Sequence, residues 1–132
     1  MKFFRLTCLL AVFMPLAALA QNPPQTPEQQ EKQMMEYVDK EVKRLSDLLG
    51  LEYWQEFYVD STLTHDFHAM SAELKTLQTA KVENTDLYTS VRDKWMDQID
   101  ATLQRIFNED QWKKYLKTGA QKAQKAREKR KK

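Results

Sequence analysis

Residues 35–50, MEYVDKEVKRLSDLLG, place an apolar side chain at every third or fourth position and end in a glycine. The apolar positions are Met35, Val38, Val42, Leu45 and Leu49. Their 3-4-3-4 spacing puts them on one side of an α-helix, and Gly50 suits the left-handed residue that closes such a helix. The seam has coiled-coil character but spans only two heptads. We therefore predict an amphipathic helix of a small bundle, from about Pro27 to Leu49.

A second helix is predicted from about Glu52 to Val82, and it has two apolar faces. Its first turns carry the aromatic side chains Tyr53, Trp54, Phe57 and Tyr58. Its second half carries, almost opposite, Leu63, Phe67, Met70, Leu74 and Leu77. Either the chain breaks at Asp60-Ser61-Thr62, whose side chains are good N-caps, or one continuous helix packs against two different neighbours.

Two further helix starts follow. Asn84-Thr85-Asp86 offers turn and cap chemistry for a third helix, which should reach about Phe107. Asn108 with Gln111 forms a capping box for a fourth helix. No large apolar residue follows Leu116, so we expect residues 120–132 to be solvated, partly helical and to bury nothing. The predicted fold is all-α, a small bundle or curved cradle of three to four amphipathic helices with a basic helical tail.

Charge divides the chain into an acidic body and a basic tail. Residues 21–120 carry 12 basic and 18 acidic side chains, and residues 121–132 carry seven basic ones against Glu128. The seven are Lys122, Lys125, Arg127, Lys129, Arg130, Lys131 and Lys132. Such asymmetry indicates electrostatic attraction at one end of the molecule. For an exported chain we expect anionic lipid, lipopolysaccharide or acidic protein surfaces as partners rather than nucleic acid.

The first twenty residues have the pattern of a secretory signal. Lys2 and Arg5 precede the largely apolar stretch 6–19, and Ala18-Leu19-Ala20 provides a small-x-small cleavage site. We predict cleavage after Ala20 and a periplasmic location. The domain organisation is then a leader (1–20), a proline-rich flexible spacer (21–28), a helical domain (29–119) and the basic tail (120–132).

Several kinds of active site are disfavoured by composition. Cys8, the one cysteine, lies in the leader, and the two glycines, Gly50 and Gly119, cannot form a phosphate-binding loop. The serines lack the glycine context of a nucleophile elbow. We therefore predict no catalytic residues, no cofactor and a protein that is not an enzyme.

The histidine pair His65 and His68 is the one constellation with metal-ligand spacing. Two histidines at i, i+3 share a helical face, but they do not complete a tetrahedral site. Helical geometry directs Asp66 away from His65 by about 100°. We predict two semi-exposed helical histidines without a tight metal site in the monomer.

Two stretches echo each other at an offset of 56 residues, Leu51-Glu-Tyr-Trp-Gln55 and Phe107-Asn-Glu-Asp-Gln111. At these positions the chain resembles the Spy/CpxP family of periplasmic helical proteins, which carry two LTxxQ motifs. Leu51, Gln55 and Gln111 match the motif. Phe107 replaces its leucine, and Glu52 and Asn108 replace its threonines. The resemblance covers residues 30–120 in layout.

The resemblance implies a four-helix chain that dimerises and acts as an ATP-independent chaperone or an envelope-stress accessory factor. On this reading, Trp54, Phe57 and Tyr58 form the face that holds unfolded or envelope proteins. The alternative is a helical adaptor that binds one dedicated protein partner, or an anionic membrane surface, through its basic tail. Both readings describe a binding protein, and we expect a homodimer.

Overall fold

The computed structural model describes residues 23–132, and the predicted leader with its cleavage site lies outside them. The described chain is all-α, with no strand among its elements. In chain order the elements are α1 (Pro27–Leu49), α2 (Tyr53–Thr79), α3 (Thr85–Ile106), α4 (Glu109–Tyr115), a π-helical turn (Leu116–Ala120) and α5 (Gln121–Arg130). The last three form one C-terminal helix over 109–130. The predicted all-α fold of three to four helices is confirmed, with four helices.

The helix boundaries follow the local signals in the sequence. Thr26 caps α1 through a capping box with Gln29, and Gly50 closes α1 at φ 63° and ψ 50°. Asn84 caps α3 through a hydrogen bond from the Asp86 backbone N–H. The side chains of Thr26, Gln29 and Asn84 thus satisfy free backbone groups at helix starts. The predicted span of α1 is confirmed at both ends.

α2 runs without a break through Asp60-Ser61-Thr62. The alternative with a break at these residues is therefore wrong, and α2 is continuous. Its buried face is formed by Gln55, Val59 and Leu63, and Phe67 packs against the core from the next turn. The aromatic face of its first turns is not covered.

The core lies where α1, the first half of α2, the second half of α3 and α4 meet. Its buried members are Val38, Leu45, Leu49, Val59, Leu63, Ile99, Leu103, Phe107 and Tyr115. Between Phe67 and Gln98 no residue is buried. The outer half of the α2–α3 hairpin thus extends beyond the core with half-exposed apolar side chains.

The C-terminal segment differs from the expectation. Gly119 adopts φ 103° inside the π-helical turn, a conformation that favours glycine, and α5 continues to Arg130. Arg127 is buried, with 4% of its surface exposed. The prediction that residues 120–132 bury nothing is wrong, because ionic contacts with α3 replace the apolar ones that the segment lacks.

Candidate functional site

Two buried glutamines join the turns that start α2 and α4. Gln55 Nε2 donates to Gln111 Oε1 at 2.7 Å, and Gln111 Nε2 donates to Gln55 Oε1 at 3.1 Å. Gln55 Oε1 also accepts from the Glu52 backbone N–H at 2.9 Å, and Gln111 Oε1 accepts from that of Asn108 at 3.0 Å. Each glutamine therefore caps its own helix and binds the other.

The same amides reach the ends of the preceding helices. Gln55 Nε2 donates to the Ile106 carbonyl at the end of α3, at 3.0 Å. Gln111 Nε2 lies 3.4 Å from the Leu49 carbonyl at the end of α1. Carbonyls at a helix C-terminus lack intrahelical partners, so each turn supplies a donor to the opposite helix end. The two similar stretches of sequence, 51–55 and 107–111, thus form two similar turns that face each other.

An exposed aromatic patch begins directly after the first of these turns. Tyr53 is 91% exposed, Phe57 67%, Tyr58 53% and Trp54 51%. Exposed aromatic clusters of this kind mark interaction surfaces in soluble proteins. Trp54, Phe57 and Tyr58 are the client-binding residues predicted from the sequence. Tyr53, the most exposed of the four aromatic residues, was not predicted, although its position beside Trp54 could have suggested it.

The patch is held in a defined arrangement. The Tyr58 ring packs edge-to-face against Phe57, at 5.6 Å between ring centroids, and against Trp54, at 6.3 Å. Trp54 Nε1 donates to a Glu52 carboxylate oxygen. Trp54 also lines an open groove of about 470 Å³ between the paired turns, with Arg105 on its α3 side. The aromatic patch, defined here as Tyr53, Trp54, Phe57 and Tyr58, therefore lies directly beside the hydrogen-bonded paired turns.

The tail docks on α3 through ion pairs. Arg127 donates to Asp97 at 2.6 Å and to Asp100 at 2.5 Å. Arg130 binds both oxygens of Asp93, at 2.6 and 2.8 Å. Lys131 lies 2.9 Å from Asp97. Arg127, Arg130 and Lys131 are thus the bound cations of the basic tail. The other four are exposed: Lys122, Lys125, Lys129 and Lys132.

Asp100 lies at the centre of this docking contact and is buried. It accepts hydrogen bonds from Tyr115 Oη at 2.7 Å and Gln124 Nε2 at 3.1 Å besides Arg127. Burial, together with the hydrogen bond to Asp100, raises the pKa of Tyr115 far above its ordinary value. A buried carboxylate is tolerated here because several donors replace its lost hydration.

Two of the carboxylates that receive the tail, Asp93 and Asp97, are held in their charged form. The hydrogen bonds from Arg130 lower the pKa of Asp93. Burial alone would raise the pKa of Asp97, but hydrogen bonds from Lys131 and Arg127 outweigh it and lower the pKa. The acidic stripe was missed in the sequence, although Asp93, Asp97 and Asp100 have the i, i+4, i+7 spacing of one helical face.

The two histidines lie apart from these features. His65 Nδ1 is 2.8 Å from an oxygen of Asp66, which is buried. The expectation that Asp66 points away from His65 is therefore wrong. His68 Nε2 lies 3.9 Å from Glu31. In the part of the chain that the structure describes, no three His, Cys, Asp or Glu side chains converge as metal ligands.

Within residues 23–132, no helix combines the length and apolar character of a membrane span. Comparison of the chain with protein-family models, curated protein sequences and solved structures finds no match.

Proposed function

We propose that this protein is an exported, non-enzymatic binding protein that holds unfolded or envelope proteins in the periplasm, in the manner of the Spy/CpxP family. The observation that carries the proposal is the aromatic patch. Four large rings remain at least half exposed at one end of α2, and clustered exposed apolar side chains mark interaction surfaces.

The position of the aromatic patch suits weak binding of many different unfolded chains. The paired turns fix the start of α2, so binding does not require that segment to become ordered first. Tyrosine and tryptophan provide large contact areas at a low cost in side-chain entropy. The acidic body, with a net charge of −6 over residues 21–120, attracts basic segments of unfolded chains.

The paired turns support the family resemblance. Both motif copies use their glutamine in the same way, as a cap for one helix and a donor to the end of another. A five-residue echo can arise from two separately capped helices, but reciprocal pairing gives the two copies one shared structural role.

An aggregation-suppression assay tests the proposed function. The protein is added in near-stoichiometric amounts to two unrelated unfolding clients, and light scattering is followed. We expect suppression of both, and its loss in a Trp54→Ser/Phe57→Ser variant. Met35→Ser, which also removes an exposed apolar side chain, is the matched control and should act like the unmodified protein.

The same assay separates this function from that of a dedicated adaptor. An adaptor for one partner leaves both unrelated clients to aggregate. Equal suppression by the Trp54→Ser/Phe57→Ser variant and by the unmodified protein would instead rule out the aromatic patch as the binding face.

A further inference from the structure

The basic tail has two faces, and residues 23–132 neutralise only one of them. Arg127, Arg130 and Lys131 are held by acidic residues of α3. Lys122, Lys125 and Lys129 are exposed and form no ion pair with any residue of 23–132.

The three unpaired lysines form a straight row. Positions i, i+3 and i+7 lie within about 60° of each other around a helix and span about 10 Å along it. Lys132 follows just beyond the end of α5. We call Lys122, Lys125, Lys129 and Lys132 the lysine row.

The docking contact makes this row a fixed and net positive surface. The bound cations neutralise the acidic stripe of α3, which would otherwise weaken the positive potential beside the row. They also hold α5 against α3, because α5 carries no apolar side chain larger than alanine to anchor it.

We propose that the lysine row is a docking surface for an anionic phospholipid bilayer, which α5 contacts lying parallel to the membrane plane. Lysine ammonium groups act as point charges toward phosphate, without the bidentate geometry that arginine provides. α5 has no aromatic or aliphatic side chain to insert between lipid chains. The contact is therefore peripheral and electrostatic.

A flat surface fits this geometry better than nucleic acid does. Both arginines of α5, Arg127 and Arg130, are held by carboxylates of α3, so neither is free to read base edges in duplex DNA. No aromatic ring on α5 is placed to stack on single-stranded bases.

Vesicle co-sedimentation tests the proposal with protein that lacks residues 1–20, because the apolar leader would itself bind lipid. The vesicles contain either phosphatidylcholine alone or equal parts of phosphatidylcholine and phosphatidylglycerol. We expect binding only to the anionic vesicles. It should weaken about fivefold for each lysine of the row replaced by glutamine, so Lys122→Gln/Lys125→Gln/Lys129→Gln should lose nearly all of it.

The matched control is Lys32→Gln/Lys40→Gln/Lys75→Gln, which removes the same charge from exposed lysines elsewhere. It should bind anionic vesicles about as well as the unmodified protein, because these lysines lie outside the row. A salt titration of the unmodified protein adds a test that needs no mutation. Charges are screened over about 10 Å at 0.1 M salt, so added salt should release the protein from the vesicles.

Three results would overturn the proposal. They are equal binding to both kinds of vesicle, equal loss of binding in the control and the row variant, and binding to a DNA duplex without binding to anionic vesicles. The inference does not depend on the proposed chaperone function, because the row variant retains the aromatic patch.

Discussion

At the scale of single residues, Gln55 and Gln111 join parts of the chain that are far apart in sequence. Each amide has its oxygen bound to its own helix start and its nitrogen to the end of another helix. A buried amide is costly to leave unpaired. The two glutamines therefore fix how the turn before α2 faces the turn before α4, which apolar contacts alone would leave less defined.

Replacing either glutamine should destabilise the fold measurably. We expect Gln55→Ala and Gln111→Ala each to lower the free energy of unfolding by about 2 kcal/mol, because buried partners are left unsatisfied. The double variant should lose less than the sum of the two, by about 1 kcal/mol, since either change already removes the shared bonds. Urea unfolding measures all three.

The control for these three variants is Gln98→Ala, on the exposed side of α3. Its free energy of unfolding should stay within about 0.5 kcal/mol of that of the unmodified protein. Strictly additive losses for Gln55 and Gln111 would show that the two amides act independently.

At the scale of the elements, α5 is attached in a different way from the other helices. α1 to α4 contribute apolar side chains to the core. α5 is instead held on α3 by the ion pairs of Arg127 with Asp97 and Asp100. Gly119 gives the backbone the turn that brings α5 onto α3, at φ 103°. The docking of α5 therefore depends on charge, and its stability should follow the ionisation of its carboxylates.

Acid should release α5 before the core unfolds. The folded pKa values of Asp93 and Asp97 are lowered, so their contribution to docking is complete above the ordinary value of 3.8 and is lost as pH falls below it. We expect amide protection over 121–130 to fall in that acidic range while protection around Leu45 and Ile99 persists. Hydrogen exchange monitored by mass spectrometry provides the measurement.

Arg127→Ala serves as the reference for the released state, because it removes the buried cation at every pH. Its α5 amides should exchange rapidly even at neutral pH, and Lys129→Ala should leave them protected. Simultaneous loss of protection in α5 and the core would mean that docking and core packing are one cooperative unit.

At the scale of the whole molecule, the buried residues are concentrated at one end. The core lies around the paired turns, while the outer half of the α2–α3 hairpin has no buried residue. There, Leu77, Leu87 and Val91 line a shallow groove between the two helices. Apolar surface of this kind on both helices favours a second copy of the chain as its cover.

We expect the protein to form a homodimer that Leu87→Glu weakens. Leu87 is 46% exposed, so a charge there disrupts association without disturbing the core. Leu48→Glu is the matched control, since Leu48 is 44% exposed on α1. Sedimentation equilibrium at micromolar concentration distinguishes the species. A monomer at every concentration would exclude the dimer, and equal weakening by both variants would place the contact elsewhere.

The sequence by itself determined the helices. The seam from Val38 to Leu49, the closing Gly50 and the capping pair Asn108 and Gln111 are local signals, and each corresponds to a helix or helix end in the structure. Local signals suffice here because helix spacing and capping depend on residues within four positions of each other. Helical spacing also places Trp54, Phe57 and Tyr58 on one side of α2, without deciding whether that side is covered.

Only the tertiary structure decided which helix faces are covered and how the tail is held. Both faces of α2 are apolar in part, so spacing could not show that Val59 and Leu63 are buried while Phe57 is exposed. The docking of Arg127 on Asp97 and Asp100 links residues 27 to 30 positions apart. Such pairing depends on the backbone path through Gly119, because complementary charges make contact only where the fold brings them together.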